Sequence, residues 1–465
     1  MRARWRRIGA AAPRKATRRA AIFSAAALAV GLAALPAAAR PAGPFEIPDT
    51  QYVPVKWSDL PGWAKDDHRA ALGAFRASCQ AISRTERRGL PASRQTGQDQ
   101  AALQDANKLQ TEKALTGSLH EPCAAVAHWT ARGDAQARIF FERYFRPVSI
   151  SRLGDKDGFV TGYFEPVVEG SRTRTDVYTV PVYRRPSNLF VRGYSQASPS
   201  LPNKGEVFRK IGRRKLVPYF DRAAIEDGAI AGRGLELAWL KNQTDLLFMQ
   251  IQGSARIRFE DGSMLRINYD SHNGHPYLPV GRVLIERNII PREKMSMQRI
   301  RDWMTAHPLE ANDVRRQNRA YVFFREVNLS DKDEPIGAQG VPLTAGRSIA
   351  VDRFLHLYGT LFFISGELPI ETPQSRTPFQ RLMVAQDTGS AIIGPARADI
   401  YFGAGAEAGS VSGRLRHNAS FAMLVPKNLD PVRAGRRMPL PKARPVKKTE
   451  KKITRRQPRA ARPSP

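Results

Sequence analysis

The chain has 465 residues, 42% hydrophobic and 8% aromatic, with two cysteines and a formal charge of +31. That apolar content excludes a disordered chain, and the length allows two or three domains with substantial cores. The charge argues for nucleic acid only until its placement is read: residues 1–39 carry eight Arg/Lys and no acid, and residues 431–465 carry thirteen against Glu450 alone. The body keeps +11 of the +31, so no nucleic-acid partner is expected.

Residues 1–39 read as a secretory signal peptide. Basic residues as far as Arg19 precede an apolar run, 20–35, too short and alanine-rich to span a bilayer comfortably. A small-residue cleavage pattern, Pro36-Ala37-Ala38-Ala39, follows. The alternative is a helix kept as an anchor. "TRRAAIF" (17–23) carries a twin-arginine hint. No cysteine follows the run, so the mature chain is expected to be exported and not a lipoprotein. In an oxidising compartment the lone pair Cys79 and Cys123 is expected to form a disulfide. It would close a loop of roughly 45 residues, worth on the order of 3–4 kcal/mol.

Residues 40–150 read as a helical region. Leu72, Phe75, Cys79 and Ile82 recur at helical spacing over 66–85, behind Asp66-Asp67. A second helix is expected over 123–131. A third, over 135–145, has Ile139, Phe141, Tyr144 and Phe145 as its apolar side. The polar 89–110 stretch reads as a loop.

After Ser149 the pattern turns to short β-branched and aromatic runs broken by Gly, Pro, Asn and Asp. Stretches 159–171 and 178–186 are strand-like. In 246–270, Gln250 and Gln252 read as sharing one strand face, opposite Met249 and Ile251. Further on, Ile257 and Phe259 alternate with Arg256 and Arg258, Asp261-Gly262 turns the chain, and Leu265, Ile267 and Tyr269 alternate with Arg266 and Asn268. That is a hairpin with one buried face. Met297, Ile300, Trp303 and Met304 give one helix, and strand-like runs return over 321–424. Two blocks of short strands argue for two β-barrels. The Pro- and Lys/Arg-rich residues 431–465 have little to bury and read as a disordered tail.

No internal repeat, P-loop, nucleophile elbow or dinucleotide fingerprint is present. His272 and His275 form an H-x-x-H, but no third ligand lies nearby, so no metal is expected. "GAGAEAG" (403–409) does not read as opening a helix after a strand in a βαβ unit, which leaves it weak as a phosphate cradle. Carboxylates remain. In "DTGSAIIGPARADIYFG" (387–403), strand alternation puts Ala398 and Ile400 on one face and Asp399 on the other, beside Arg397 and Tyr401. A carboxyl sheltered by an aromatic ring can act as a general acid at neutral pH. Composition alone favours a solvated strand face with Asp387 capping a turn.

Several ordered motifs resemble the A-type lytic murein transglycosylases, the MltA family. They are "GYFEP" (162–166), "FMQIQGSARIRFEDGS" (248–263), "NGHPY" (273–277), "MSMQRIRDW" (295–303), "NRAYVFFRE" (318–326), "VPLTAGRSIAVDR" (341–353), "YGTLFFI" (358–364) and the stretch 385–409. The resemblance implies a mainly β fold: a double-psi β-barrel with a second, inserted β-barrel domain, after the N-terminal helical subdomain. It divides the body into an MltA-specific domain, 151–310, and a 3D domain, 311–430, whose three aspartates would be Asp352, Asp387 and Asp399.

What the resemblance implies of function is a peptidoglycan lytic exotransglycosylase, a lyase acting on glycan strands. It would cut the β-1,4 bond between N-acetylmuramic acid and N-acetylglucosamine and leave a 1,6-anhydromuramoyl end, needing no cofactor. Asp399 would be the single catalytic acid and then base, with Asp387 supporting it. Tyr163, Glu165, Gln250, Gln252, Asn273, His275, Tyr277 and Tyr401 would line the substrate groove, with Tyr401 raising the pKa of Asp399. The protein is expected to be a monomer, periplasmic, soluble or held peripherally at the envelope, with the basic tail meeting anionic surfaces. Ser390 and Ile393 depart from the family pattern, as do the residues flanking "NGHPY". The other reading is a non-catalytic, expansin-like peptidoglycan-binding protein.

Overall fold

The computed structural model describes residues 49–87, 119–191, 207–212 and 215–428. The signal-like segment, the 89–110 stretch and the basic tail lie outside the described residues.

Six strands close a barrel: Gly158–Glu165, Ser348–Val351, Leu361–Leu368, Thr377–Thr388, Arg397–Ala404 and Arg416–Pro426. The last strand closes the ring because it pairs with both Leu361–Leu368 and Gly158–Glu165. Two pairings are parallel, Ser348–Val351 with Thr377–Thr388 and Arg397–Ala404 with Gly158–Glu165. Phe145–Arg152 and then Thr50–Pro54 extend the sheet beyond Arg416–Pro426. Alternation sorts the side chains. Phe362, Ile364, Met383, Ala398, Ile400 and Met423 fill the interior, while Leu361, Phe363, Leu382, Val384 and Leu424 point outward.

The outward face is covered by the helices His68–Arg87, His120–His128 and Asp134–Tyr144, through Leu72, Phe75, Val126, Phe140 and Phe141, and by Trp63 just before the first of them. Cys79 and Cys123 are bonded between the first two helices, with Cα atoms 5.0 Å apart. In the third helix the buried side is Ala137, Phe140 and Phe141. Ile139, expected on that side, is 51% exposed, because the helix turns its 137–140–141 stripe to the core. A buried ion pair ties this layer to the barrel: Arg347 donates to Asp66 through both terminal nitrogens at 2.9 and 2.8 Å, and Leu382 N donates to the same carboxylate at 2.7 Å.

Between the first barrel strand and the second, the chain builds another barrel. Its strands run in the order Val322–Glu326, Met264–His272, Ser254–Arg258, Val167–Ser171, Glu236–Leu240, Val180–Tyr183, and a parallel bridge from Arg184 to Phe324 joins the two ends. The expected hairpin is present, with Ile257 opposite Leu265 and Ala255 opposite Ile267, all four inside. Leu189–Val191, Val207–Ile211 and Lys215–Pro218 make a small separate sheet. The fold is mainly β, a double-psi type barrel with an inserted barrel domain and a helical subdomain.

Two expectations are corrected. Residues 243–252 are a helix, Gln243–Gln252, and not a strand. Asn242 caps it by accepting from Asp245 N at 2.8 Å, and Gly253 ends it at φ +82. "GAGAEAG" does open a helix, Gly405–Arg414, straight after the strand Arg397–Ala404. The unit is still not a parallel βαβ, since the flanking strands meet Gly158–Glu165 with opposite polarity. Helices Val280–Glu286 and Pro308–Gln317 were not expected, whereas Met297–Ala306 was.

Candidate active site

The barrel register sets five residues in one row. Ala350 is opposite Asp387 on one side and Asp399 on the other. Asp399 is opposite Thr161, and Thr161 is opposite Arg416. In the next row outward-facing Tyr401 pairs with Tyr163, their rings 5.2 Å apart. With Ala398 and Ile400 committed to the interior, Asp399 must face the other way.

Asp399 is half-buried, and its Oδ1 accepts a 2.6 Å bond from Thr161 Oγ1. Thr161 Oγ1 in turn accepts from Arg397 Nη2 at 2.7 Å, and the guanidinium lies 5.6 Å over the Phe159 ring. Burial raises the pKa of Asp399, while the Arg397 charge and the Thr161 bond pull it back. Tyr401 was expected to raise it. Its ring is fully buried (0% exposed), and its hydroxyl turns away to donate to Glu334 Oε2 at 2.6 Å, which removes it from sugar contact as well.

Asp387 is the better-bonded carboxylate. Ala338 N and Thr388 N donate to its Oδ1, both at 2.9 Å, and Tyr163 Oη donates to its Oδ2 at 3.0 Å. Burial nevertheless pushes it up to about 6, with the charge of Asp399 adding a smaller upward push. Asp352, third of the aspartates, is buried and accepts from Phe354 N and Gly394 N at 3.0 Å each. It holds two loops together.

A cleft of about 670 Å³ opens at the Thr161–Arg416 end of this row, and neither Asp387 nor Asp399 lines it. Thr161, Gly162, Ser412, Gly413, Leu415 and Arg416 form one wall, and Gln252, Tyr277 and residues drawn from the 279–300 segment form the other. Thr161 thus touches the cleft on one side and Asp399 on the other. Gln252 also accepts from Phe164 N at 3.0 Å, which joins the two walls. Burial pushes the Tyr277 hydroxyl up to about 12.

Four residues expected in the groove are elsewhere. Glu165 is buried between Arg256, at 2.7 Å, and Arg266, at 3.0 Å. Gln250 is buried in the inserted domain, accepting from Arg222 Nη2 at 2.7 Å and donating to Val322 O at 3.0 Å. Asn273 is buried and donates to the carbonyls of Phe220 and Arg319, both at 2.9 Å. His275 donates from Nε2 to Tyr219 O at 2.8 Å, beside a separate hollow of about 380 Å³. Polar side chains in motif positions here satisfy buried backbone and buried charge, which is the commoner use of such groups. Among the described residues, no group of three or more His, Cys, Asp or Glu could hold a metal ion. Thr161, Arg416 and Glu334 were not singled out from sequence. Thr161 had a signal, since it alternates with Tyr163 in "VTGYFEP" and so shares its strand face.

Residues 159–325 match the MltA specific insert domain and residues 347–425 match the 3D domain. A solved membrane-bound lytic murein transglycosylase from Agrobacterium tumefaciens is 36% identical, with 83% of this chain and 99% of that one aligned and a TM-score of 0.67. The chain belongs to the MltA family. Another MltA structure, from Escherichia coli with bound chitohexaose, is 27% identical over 76% of this chain and 89% of that one, with a TM-score of 0.51. A curated relative, membrane-bound lytic murein transglycosylase A of Vibrio cholerae, is 32% identical over 272 residues, or 57% of this chain. The match spans 65% of that relative's length, just under two-thirds. Among the described residues no helix is long and apolar enough to cross a membrane.

Proposed function

We propose that this MltA-family chain is a lytic transglycosylase that cleaves the β-1,4 bond between N-acetylmuramic acid and N-acetylglucosamine in peptidoglycan. The observation that carries the reading is Asp399: a carboxyl whose pKa is raised by burial, one hydroxyl away from a cleft of about 670 Å³. The chitohexaose held by the E. coli relative supports a glycan as the occupant of such a cleft.

The reaction needs one carboxyl. Ordinary glycosidases use two, about 5–5.5 Å apart for retention or about 6.5–9.5 Å for inversion. Here Asp399 gives its proton to the glycosidic oxygen as the C1–O4 bond breaks. The muramoyl 6-hydroxyl attacks C1 on its own ring, forming C1–O6, and its proton returns to Asp399. Atoms balance without water, and the intramolecular attack supplies the positional advantage. Asp387, in the same row, supports the site by holding Tyr163 and the Ala338 and Thr388 amides in place beside it.

The enzyme acts in the periplasm after export, and releases product from strand ends. Incubation with murein sacculi followed by mass spectrometry is expected to yield 1,6-anhydromuropeptides. Asp399→Asn is expected to lower the yield by about a thousandfold, within the usual range for loss of a general acid. Products carrying added water would point to a hydrolase instead. Binding to sacculi with no soluble product would favour a non-catalytic, expansin-like role.

A further inference from the structure

The cleft wall that carries Thr161 also carries charge. Arg416 is opposite Thr161, which is opposite Asp399. Neighbouring strands lie about 4.8 Å apart, so the Arg416 backbone stands about 10 Å from that of Asp399, roughly two sugar rings along the wall. Arg292 lines the same cleft, and Arg416 Nη1 donates to its backbone carbonyl at 3.3 Å, which ties the Arg416 side chain to the Arg292 backbone at a common edge.

A third arginine of the cleft, Arg282, is neutralised by Glu286 at 2.7 Å. Arg292 and Arg416 are not in an ion pair with any of the described residues. Among the described residues, two cations without an ionic partner therefore sit on one stretch of the wall, on the side of the acid away from Asp387. A neutral glycan gives them nothing to pair with. A murein strand does: each muramoyl unit bears a carboxylate, either on the free lactyl ether or on the peptide joined to it.

On the reading of the cleft as a murein site, we infer that Arg292 and Arg416 form a carboxylate subsite that selects acidic, muramoyl-bearing strands over neutral chitin-type ones. Both side chains are solvated, so each contributes modestly and the effect weakens with salt. The bland reading, two hydrated surface arginines, predicts no discrimination between glycans.

The test uses the full chain carrying Asp399→Asn, so that bound glycan is not consumed. Three probes are compared by calorimetry: chitohexaose, a peptide-free muramoyl oligosaccharide of equal length, and the same oligosaccharide with its peptides. In the double variant R292Q/R416Q, affinity for at least one anionic probe is expected to fall about tenfold while that for chitohexaose stays within twofold. Which anionic probe responds identifies the lactyl or the peptide carboxylate. Arg416→Lys, which keeps the charge, is expected to recover most of the loss contributed by that position. Equal loss on neutral and anionic probes, or no loss on either anionic one, overturns the subsite. If the parent binds none of the three, the murein reading itself falls, and this inference with it.

Discussion

Asp387 and Asp399 face the same residue, Ala350, from the two strands that flank it. Two strand spacings separate their backbones, about 10 Å. Their environments divide the work. Asp387 accepts three hydrogen bonds, two of them from backbone amides. Asp399 accepts one, from a hydroxyl on the cleft wall. Burial raises both carboxyls, and Asp399, with fewer donors favouring its charged form, is the one proposed to hold and release a proton.

The pKa of Asp387 sets a stability dependence on pH. It rises from 3.8 to about 6 on folding, so the folded state holds this proton more tightly than the unfolded chain does. The resulting stability is fully present below about pH 4 and is lost as pH climbs to about 6, up to about 3 kcal/mol for two units. Urea unfolding of wild type and Asp387→Asn at pH 4 and pH 7.5 checks this. The variant is expected to gain on wild type at the higher pH; an equal gap at both would sink the assignment.

Thr161 and Arg397 both favour the charged form of Asp399. Removing either by Thr161→Val or Arg397→Gln therefore raises the carboxyl further. The rate depends on the protonated acid, so the alkaline limb of the pH–rate profile is expected to move to higher pH in both variants. Thr161→Ser keeps the hydroxyl and is expected to leave the limb in place. A purely packing role would lower rates without shifting the limb.

Asp66 reaches from the helical layer into the barrel to pair with Arg347, and both are buried. Asp66→Ala leaves a buried cation without its partner, which costs about 3–5 kcal/mol. Thermal unfolding is expected to show that loss, and the double variant D66A/R347M is expected to recover part of it.

Cys79 and Cys123 are 44 positions apart. Replacing both by serine frees that loop in the unfolded chain and is expected to cost about 3–4 kcal/mol in the chain-entropy model. Denaturation of wild type with and without a reductant supplies an independent reading of the same quantity.

The barrel strands and the candidate acid were legible because period-two alternation assigns a face to every residue: Ala398 and Ile400 inward leaves Asp399 outward. Gln250 and Gln252 were misread because the apolar run Leu246–Ile251 fits a buried strand and a buried helix alike. The deciding marks were local, Asn242 before the run and Gly253 after it. Glu165 was placed in the groove because its neighbours match a motif. Its real partners, Arg256 and Arg266, lie about ninety to a hundred positions away, and pairing at that range leaves no local periodic trace. Glu334 was missed for the same reason: Tyr401, its partner, is 67 positions off.

The barrel is interrupted after its first strand by the whole inserted domain. Thr161 and Asp399, which must touch for the candidate acid to be sheltered, are 238 positions apart. A chain still emerging, or one folded only through its inserted domain, has no row and no buried carboxyl. On the proposed reading, the chain is thus silent until it is finished, a safeguard for a cell whose own wall would be the substrate.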